Sequence, residues 1–295
     1  MEESDAVPTT EQPNAATRDL DLLGTEALVA LLAREQRVAL DAVAGATPEI
    51  ARAVDAISQR LLAGGRLHYV GAGTSGRLAM LDAAECPPTF GTPPELVTAH
   101  IAGGATALVR AVEGAEDDAD AGTAEMTAAA PNDAVVGISA SGSARYVVAA
   151  IAAARARGAL TIALTSVADS PLTVAAKLAI VVDAGPEPIA GSTRLKAGTA
   201  QKAVLNALST ATMVRLGRVY DNLMVDVVAT NEKLRVRGLR LVCMLAMVDR
   251  TRAKELLAAA SGSVKVAVAM QRRGVDAEAA RALLEGSGGF LRPLL

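Results

Sequence analysis

From Thr17 onward the chain carries apolar residues at helical spacing. The run LDLLGTEALVALLAREQRVALDAV shows it first, and EIARAVDAISQRLLAGG shows it again after Thr47-Pro48, a cap followed by proline at the first helical position. Gly64-Gly65 closes the second helix, and there the pattern changes. Short apolar runs now alternate with helical stretches: RLHYVGAG leads into 74–84, ELVTAHIAGG into 104–128, DAVVGISASG into 144–157, ALTIALTS into 170–178 and LAIVVDAG into 192–216. Four to six buried strands separated by helices predict βαβ units, and hence an α/β fold with a doubly wound parallel sheet over residues 48–220. Beyond it, YDNLMVDVVATNEKLRVRGLRLVCMLAM is apolar on one helical face, with further helices expected at about 250–260 and 276–285. Residues 1–16 lack periodicity and hold Pro8 and Pro13, so a flexible N-terminal arm is expected there. Flanking helices and the α/β domain then occupy 17–236, and a small helical subdomain occupies 237–295.

Composition narrows the function classes. The chain has 295 residues, 51% hydrophobic and 21% charged, enough for a substantial core. No apolar run free of charged residues reaches the ~18–20 residues needed to span a bilayer. The first twenty residues are polar and acidic, unlike a signal peptide, so a cytoplasmic protein without a membrane partner is expected. A net charge of −3 and only 2% aromatic residues argue against a nucleic-acid partner. Cys86 and Cys243 lie far apart with no C-x-x-C, so neither a disulfide framework nor a metal site is expected. With two histidines, His68 and His100, proton transfer falls to carboxylates. His68, inside a strand, reads as structural, and His100 has less to recommend it.

Two loops follow predicted strands. The first, Gly71-Ala72-Gly73-Thr74-Ser75-Gly76, fits the G-x-G-x-x-G spacing of a dinucleotide site. That reading also requires an acid about twenty residues on, at the end of the next strand. LVTAHIAGG ends without one, and Glu85 comes too early, in a proline-bracketed turn. The second loop, Ser139-Ala140-Ser141-Gly142-Ser143, has no place in a dinucleotide site. Two Ser/Gly loops at helix N-termini fit a compact phosphoryl group, although Ser75 or Ser141 taken alone reads equally well as an ordinary N-cap.

The segments GAGTSGRLAMLDAAECPPTFG, IAGGATALVRAVEGAEDD, GISASG, GSTRLKAGTAQK and NLMVDVVATNEKLRVR together resemble the N-acetylmuramic acid 6-phosphate etherases, sugar isomerase (SIS) domain enzymes of bacterial cell-wall recycling. The likeness runs from TEQPN at 10–14 through GGFLR at 288–292. It implies cleavage of a D-lactyl ether to N-acetylglucosamine 6-phosphate and D-lactate, with no metal or redox cofactor and with a homodimer as the working unit. It maps a proton-donating glutamate onto Glu85 and its acid–base companion onto Glu116. By analogy with other SIS domains it places the phosphate on Gly73, Thr74, Ser75, Gly76, Ser139, Ser141, Gly142 and Ser143.

Two carboxylates suit that chemistry, because a base must take the C2 proton of the open-chain sugar and an acid must protonate the departing lactate oxygen. Glu85 is favoured as the acid because Ala83, Ala84, Cys86, Pro87 and Pro88 are uncharged and would desolvate it. Glu116, among Glu113, Asp117 and Asp118, also reads as part of a solvated acidic face. The chain departs from the family after Ser-x-Ser-Gly. Where Arg-Thr-Pro-Tyr is common it has Ser143-Ala144-Arg145-Tyr146, so Ala144 replaces a hydroxyl expected on the phosphate. Arg194, Lys196 and Lys202 are cationic candidates that also read as helix-surface residues, while Asn231 and Glu232 read as a cap or a cleft lining. A non-catalytic sugar-phosphate regulator and a phosphosugar isomerase are the alternatives. The intact Glu85 and Glu116 speak against the first, and the ECPP and EGAED segments against the second.

Overall fold

A computed structural model describes residues 8–228 and 231–295. In chain order the regular elements are α1 (Thr25–Gly45), α2 (Thr47–Leu62), β1 (Leu67–Gly71), α3 (Gly73–Phe90), β2 (Val97–Ile101), α4 (Thr106–Val109), α5 (Ala119–Glu125), β3 (Ala134–Ile138), α6 (Arg145–Ala156), β4 (Leu160–Thr165), α7 (Pro171–Ala175) and β5 (Leu178–Val181). They continue with α8 (Lys196–Arg215), α9 (Glu232–Ala246), α10 (Arg250–Ala259), α11 (Val264–Arg273) and α12 (Ala277–Gly286).

The contacts group these residues into two compact units, one holding the chain up to Ala83 and Leu96–Leu208, the other Ala84–Glu95 and Ser209–Leu295. A division at residue 236, expected from the change of pattern, falls inside α9. The first unit is built on the parallel sheet the sequence predicts, in the order β2-β1-β3-β4-β5. Its central strands β3 and β4 are buried at every residue, whereas β2, at one edge, is partly open, as expected when helices cover both faces of a parallel sheet. Val135, Val147, Ile151, Ala163 and Leu172 lie in its core. Residues 1–7 of the expected arm lie outside the described residues. From residue 8 the segment is tied down: Asn14 Nδ2 donates to Glu35 Oε2 (2.9 Å) and Pro186 O (3.0 Å), and Thr17 Oγ1 donates to Pro188 O (2.9 Å).

The second unit is helical, with Leu241, Val242, Leu256, Val266 and Val268 in its core. Lys265, 6% exposed, pairs with Asp226 at 2.7 Å and donates to Gly289 O at 2.8 Å. Burial pushes the Lys265 ammonium down and the Asp226 carboxyl up, partly offset by their mutual attraction.

The local structure departs from the sequence pattern in three places. The stretch 104–128 is not one helix. Gly114, at φ +71°, breaks it, and a short 3-10 turn over Ala115–Asp117 intervenes before Asp118 accepts from Ala121 N (2.9 Å) to cap α5. α11, unpredicted, is buried from Val264 through Ala269, so it carries no one-sided period to read. Glu85 stands inside α3 rather than in a turn, because that helix runs through Pro87 and Pro88 to Phe90 and buries Cys86 and Phe90. Packing overrides the two hydrogen bonds that proline cannot make.

Candidate active site

The strand order turns back at β1, since the chain goes from β1 outward to β2 and then returns to β3 on the other side. Such a switch point opens a crevice beyond the strand ends, where ligands of doubly wound sheets bind. Both sequence-predicted loops lie there. Gly71 ends β1 and pairs with Ile138, which ends β3.

The first loop is the start of α3. Gly73, Thr74 and Ser75 form its first turn, where helix N–H groups lack intrahelical acceptors and partial positive charge favours an anion. Gly76 N donates back to Ala72 O (3.2 Å). The third glycine of the fingerprint is there for packing, because a Cβ at Gly76 would meet Ile101 Cγ1 at 2.5 Å. Ser75 is buried, and its hydroxyl donates to Gln201 Oε1 at 2.9 Å.

The second loop is bonded to itself. Gly142 N donates to Ser139 O (3.2 Å) and to Ser139 Oγ (3.1 Å), and Ser143 N to Ser141 Oγ (3.3 Å). Its Gly142 and Ser143 N–H groups are therefore spent, and what the loop offers is hydroxyl. Ser141 and Ser143 share one hydrogen bond at 2.7 Å, which uses one of their two protons and leaves the other to donate outward. Ser139 is 6% exposed and holds the turn rather than the surface. Ala144 sits at the N-cap of α6 with no side-chain cap bond, so that helix end is also open.

A cavity of about 200 Å³ joins the first loop to the acidic segment after β2, with Gly73, Arg77, Glu113 and Glu116 among its lining residues. Arg77 donates from Nε to Leu108 O (3.2 Å) and from Nη2 to Arg110 O (3.3 Å), fixing the stretch that leads to Glu116. Glu116 is exposed on the 3-10 turn. Glu85 belongs to the other unit and is also exposed, so its uncharged neighbours do not shield it from water as the sequence suggested.

The motif GSTRLKAGTAQK opens α8. Lys196 is not a surface lysine: it is 3% exposed and donates to Glu35 Oε2 (3.1 Å) and Pro186 O (3.0 Å). Glu187 caps this helix, accepting from Lys196 N (2.7 Å) and Ala197 N (2.9 Å). Its carboxyl is pushed up by burial and pulled back by those amides. The α8 N-terminus is thus filled and not an anion site. Lys202 meets Asp82 Oδ1 at 3.4 Å and Asn206 Oδ1 at 2.6 Å, and Tyr69 donates to Asp82 Oδ2 at 3.1 Å. Asn231 caps α9 through Leu234 N (2.9 Å), and Glu232 pairs with Arg235. His68 and His100 lie 3.3 Å apart, with Thr98 Oγ1 2.9 Å from His68 and Glu125 2.7 Å from His100. Arg77 and Gln201 are site residues the sequence reading passed over. Each lies inside a segment that carries the family resemblance, and neither has a spacing signal of its own.

Among the described residues, no group of three His, Cys, Asp or Glu side chains is placed to hold a metal ion, and no helix is long and apolar enough to cross a membrane.

Two family models match parts of the chain: the glucokinase regulatory protein N-terminal SIS domain over residues 49–155 and the SIS domain over 109–211. Among solved structures, the chain is similar to a phosphoheptose isomerase from Francisella tularensis, with a TM-score of 0.49 and 18% identity over 63% of this chain and 96% of that one. It is also similar to phosphoheptose isomerase GmhA from Neisseria gonorrhoeae, with a TM-score of 0.48 and 22% identity over 63% and 97%. Proteins named N-acetylmuramic acid 6-phosphate etherase match nearly end to end. The one from Gloeobacter violaceus is 51% identical over 96% of this chain and 93% of its own length. Those from Streptomyces avermitilis and Salmonella typhi are 49% and 48% identical, each over 97% of this chain and over 93% and 97% of their own lengths. At that identity and coverage, the chain belongs to the N-acetylmuramic acid 6-phosphate etherase family.

Proposed function

We propose that this protein is a carbon–oxygen lyase that cleaves the D-lactyl ether of N-acetylmuramic acid 6-phosphate, giving N-acetylglucosamine 6-phosphate and D-lactate. It works as a cytoplasmic homodimer in cell-wall recycling. The observation that carries the reading is the crevice at the β1/β3 switch point. Two Ser/Gly loops follow paired strand ends there, and one of them shares a cavity with Glu116.

The phosphate sits on the first turn of α3 at Gly73, Thr74 and Ser75, with Gly76 packed behind it, and on the hydroxyls of Ser141 and Ser143, with Ser139 and Gly142 shaping the turn. In the open-chain sugar the C1 aldehyde acidifies the C2 proton. Removal of that proton drives the electron pair toward C2–C3, and the C3–O bond breaks. Glu85 gives a proton to the departing lactate oxygen, and Glu116 completes the acid–base pair. Water then adds to C3 and a proton returns to C2, so the sum of the two steps is hydrolysis of the ether. Both groups reverse their roles between the steps.

Release of D-lactate from N-acetylmuramic acid 6-phosphate tests this directly. Glu116→Gln and Glu85→Gln should each lower kcat by about 10²–10⁴-fold while phosphosugar binding persists. A wild-type protein that binds the phosphosugar tightly and releases no lactate is a sensor, and the lyase reading fails.

A further inference from the structure

The motif that opens α8 holds a buried polar residue, Gln201, that the reaction above does not use. Gln201 is 4% exposed, and its amide meets the Ser75 hydroxyl at 2.9 Å across 126 residues of sequence. Its other end, Nε2, is a buried donor with no acceptor among the described residues. α8 also runs close to the neighbouring loop residue, since a Cβ built on Gly198 would lie 3.5 Å from Thr74 Cγ2. Natural cores rarely leave a buried donor unmade, and an exception calls for a reason.

Ser75 has one proton to give. While it donates to Gln201 Oε1, it has none for a phosphate oxygen. A carboxamide has a donor end and an acceptor end of nearly the same shape, so turning it over keeps the contact and reverses its sense. Nε2 then donates to Ser75 Oγ, the Ser75 proton is released toward the first turn of α3, and the unmade group becomes a carbonyl oxygen, which tolerates burial better than an N–H does.

We infer that Gln201 is a positioning residue for the phosphate loop: its buried amide holds the Ser75 hydroxyl and turns over when phosphate binds, freeing the Ser75 proton for the ligand. The inference rests on the reading of Gly73–Gly76 as a phosphate loop. It requires nothing of the lyase chemistry.

A double-mutant cycle tests it, with dissociation constants for inorganic phosphate and N-acetylglucosamine 6-phosphate measured by calorimetry on the full chain. Gln201→Leu, which removes both ends of the amide, should weaken binding about tenfold, in line with loss of a hydrogen bond to a charged group. In a Ser75→Ala background the same change should cost less than twofold, because Gln201 acts through Ser75. Gln201→Glu keeps an acceptor but offers no donor, and should lose at least as much as Gln201→Leu. It also serves as the probe if the leucine variant does not fold. In lactate-release assays the loss should fall on KM rather than kcat. Equal losses in both backgrounds, full affinity in Gln201→Glu, or a Ser75→Ala variant that binds phosphate normally would each overturn the proposal. Because binding is measured without turnover, a wild type that binds phosphosugar but releases no lactate sinks the lyase reading and leaves this one standing.

Discussion

The two halves of the sheet about its switch point have nearly the same loop composition and opposite economies of hydrogen bonding. On the β1 side the loop is short, α3 starts at once, and first-turn N–H groups are left for a ligand, with Ser75 held from behind by Gln201. On the β3 side the loop folds onto itself through Ser139, Ser141, Gly142 and Ser143, and its neighbour strands are buried throughout. Glycine and serine therefore do different work in the two places. The first loop is open and suited to function, whereas the second is a rigid turn that presents hydroxyls.

Glycine substitutions should separate the two most strongly. Gly142 adopts φ +69°, and a Cβ there would lie 2.2 Å from Ser170 Oγ and 2.4 Å from Ser170 Cβ. Ser170 caps α7 in a reciprocal box with Thr173, so the clash also loosens that helix. Left-handed strain of ~1–2 kcal/mol and a lost cap of ~1 kcal/mol put Gly142→Ala about 3 kcal/mol down. Its Tm should fall by roughly 6–12 °C in thermal unfolding. Gly73 has φ +53°, but among the described residues nothing beyond its chain neighbours and its own helix backbone lies within 4 Å of a built Cβ, so Gly73→Ala should cost only ~1–2 kcal/mol of strain. Its main defect should be in lactate release, because Gly73 lines the cavity that Glu116 also lines. Equal Tm losses in the two variants would erase the contrast.

A smaller effect sharpens it from the other side. Ala144 is the uncapped N-cap of α6, so Ala144→Thr supplies both a cap and a hydroxyl beside the second loop. Stability should rise by about 1 kcal/mol, seen as a higher Tm. KM for the phosphosugar should fall, and an unchanged or raised KM would show that the second loop has no room for another donor.

The sheet and both loops were legible because each rests on local pattern. β3 and β4 are short, mostly apolar runs buried at every residue, and glycine and serine after a strand announce a turn. Glu85 was misread because two prolines are the strongest local sign of a break, and the pull of buried Cys86 and Phe90 leaves no such sign. Lys196 was misread for a related reason: its partners Glu35 and Pro186 lie far off in sequence or outside any periodic pattern. Gln201 was silent for the same cause, since a bond spanning 126 residues has no spacing to detect. Resemblance singled out Glu85 and Glu116 from the acids around them, and neither burial nor pairing in this chain would have done so.

The halves should also differ in their response to acid, and this is the smallest effect expected. The β1–β2 side holds both histidines, with His68 facing Asp133 at 3.5 Å, His100 at 3.3 Å and Arg66 nearby. Burial lowers the His68 pKa below its ordinary 6.5, His100 and Arg66 add to that, and Asp133 opposes it. A histidine whose pKa is depressed on folding binds its proton more weakly in the native state than in the unfolded chain. The stability that goes with neutral His68 is therefore fully present above pH 6.5 and is lost as pH falls through the lower folded value. Tm should drop between pH 7.5 and pH 5 in the wild type, and by less in His68→Gln, whose side chain cannot take up the proton. Because Asp133 offsets part of the burial, the difference between the two profiles should be modest. Parallel profiles would mean that the charged ring is accommodated as well as the neutral one, and that the β1–β2 half is no more sensitive to acid than the rest of the sheet.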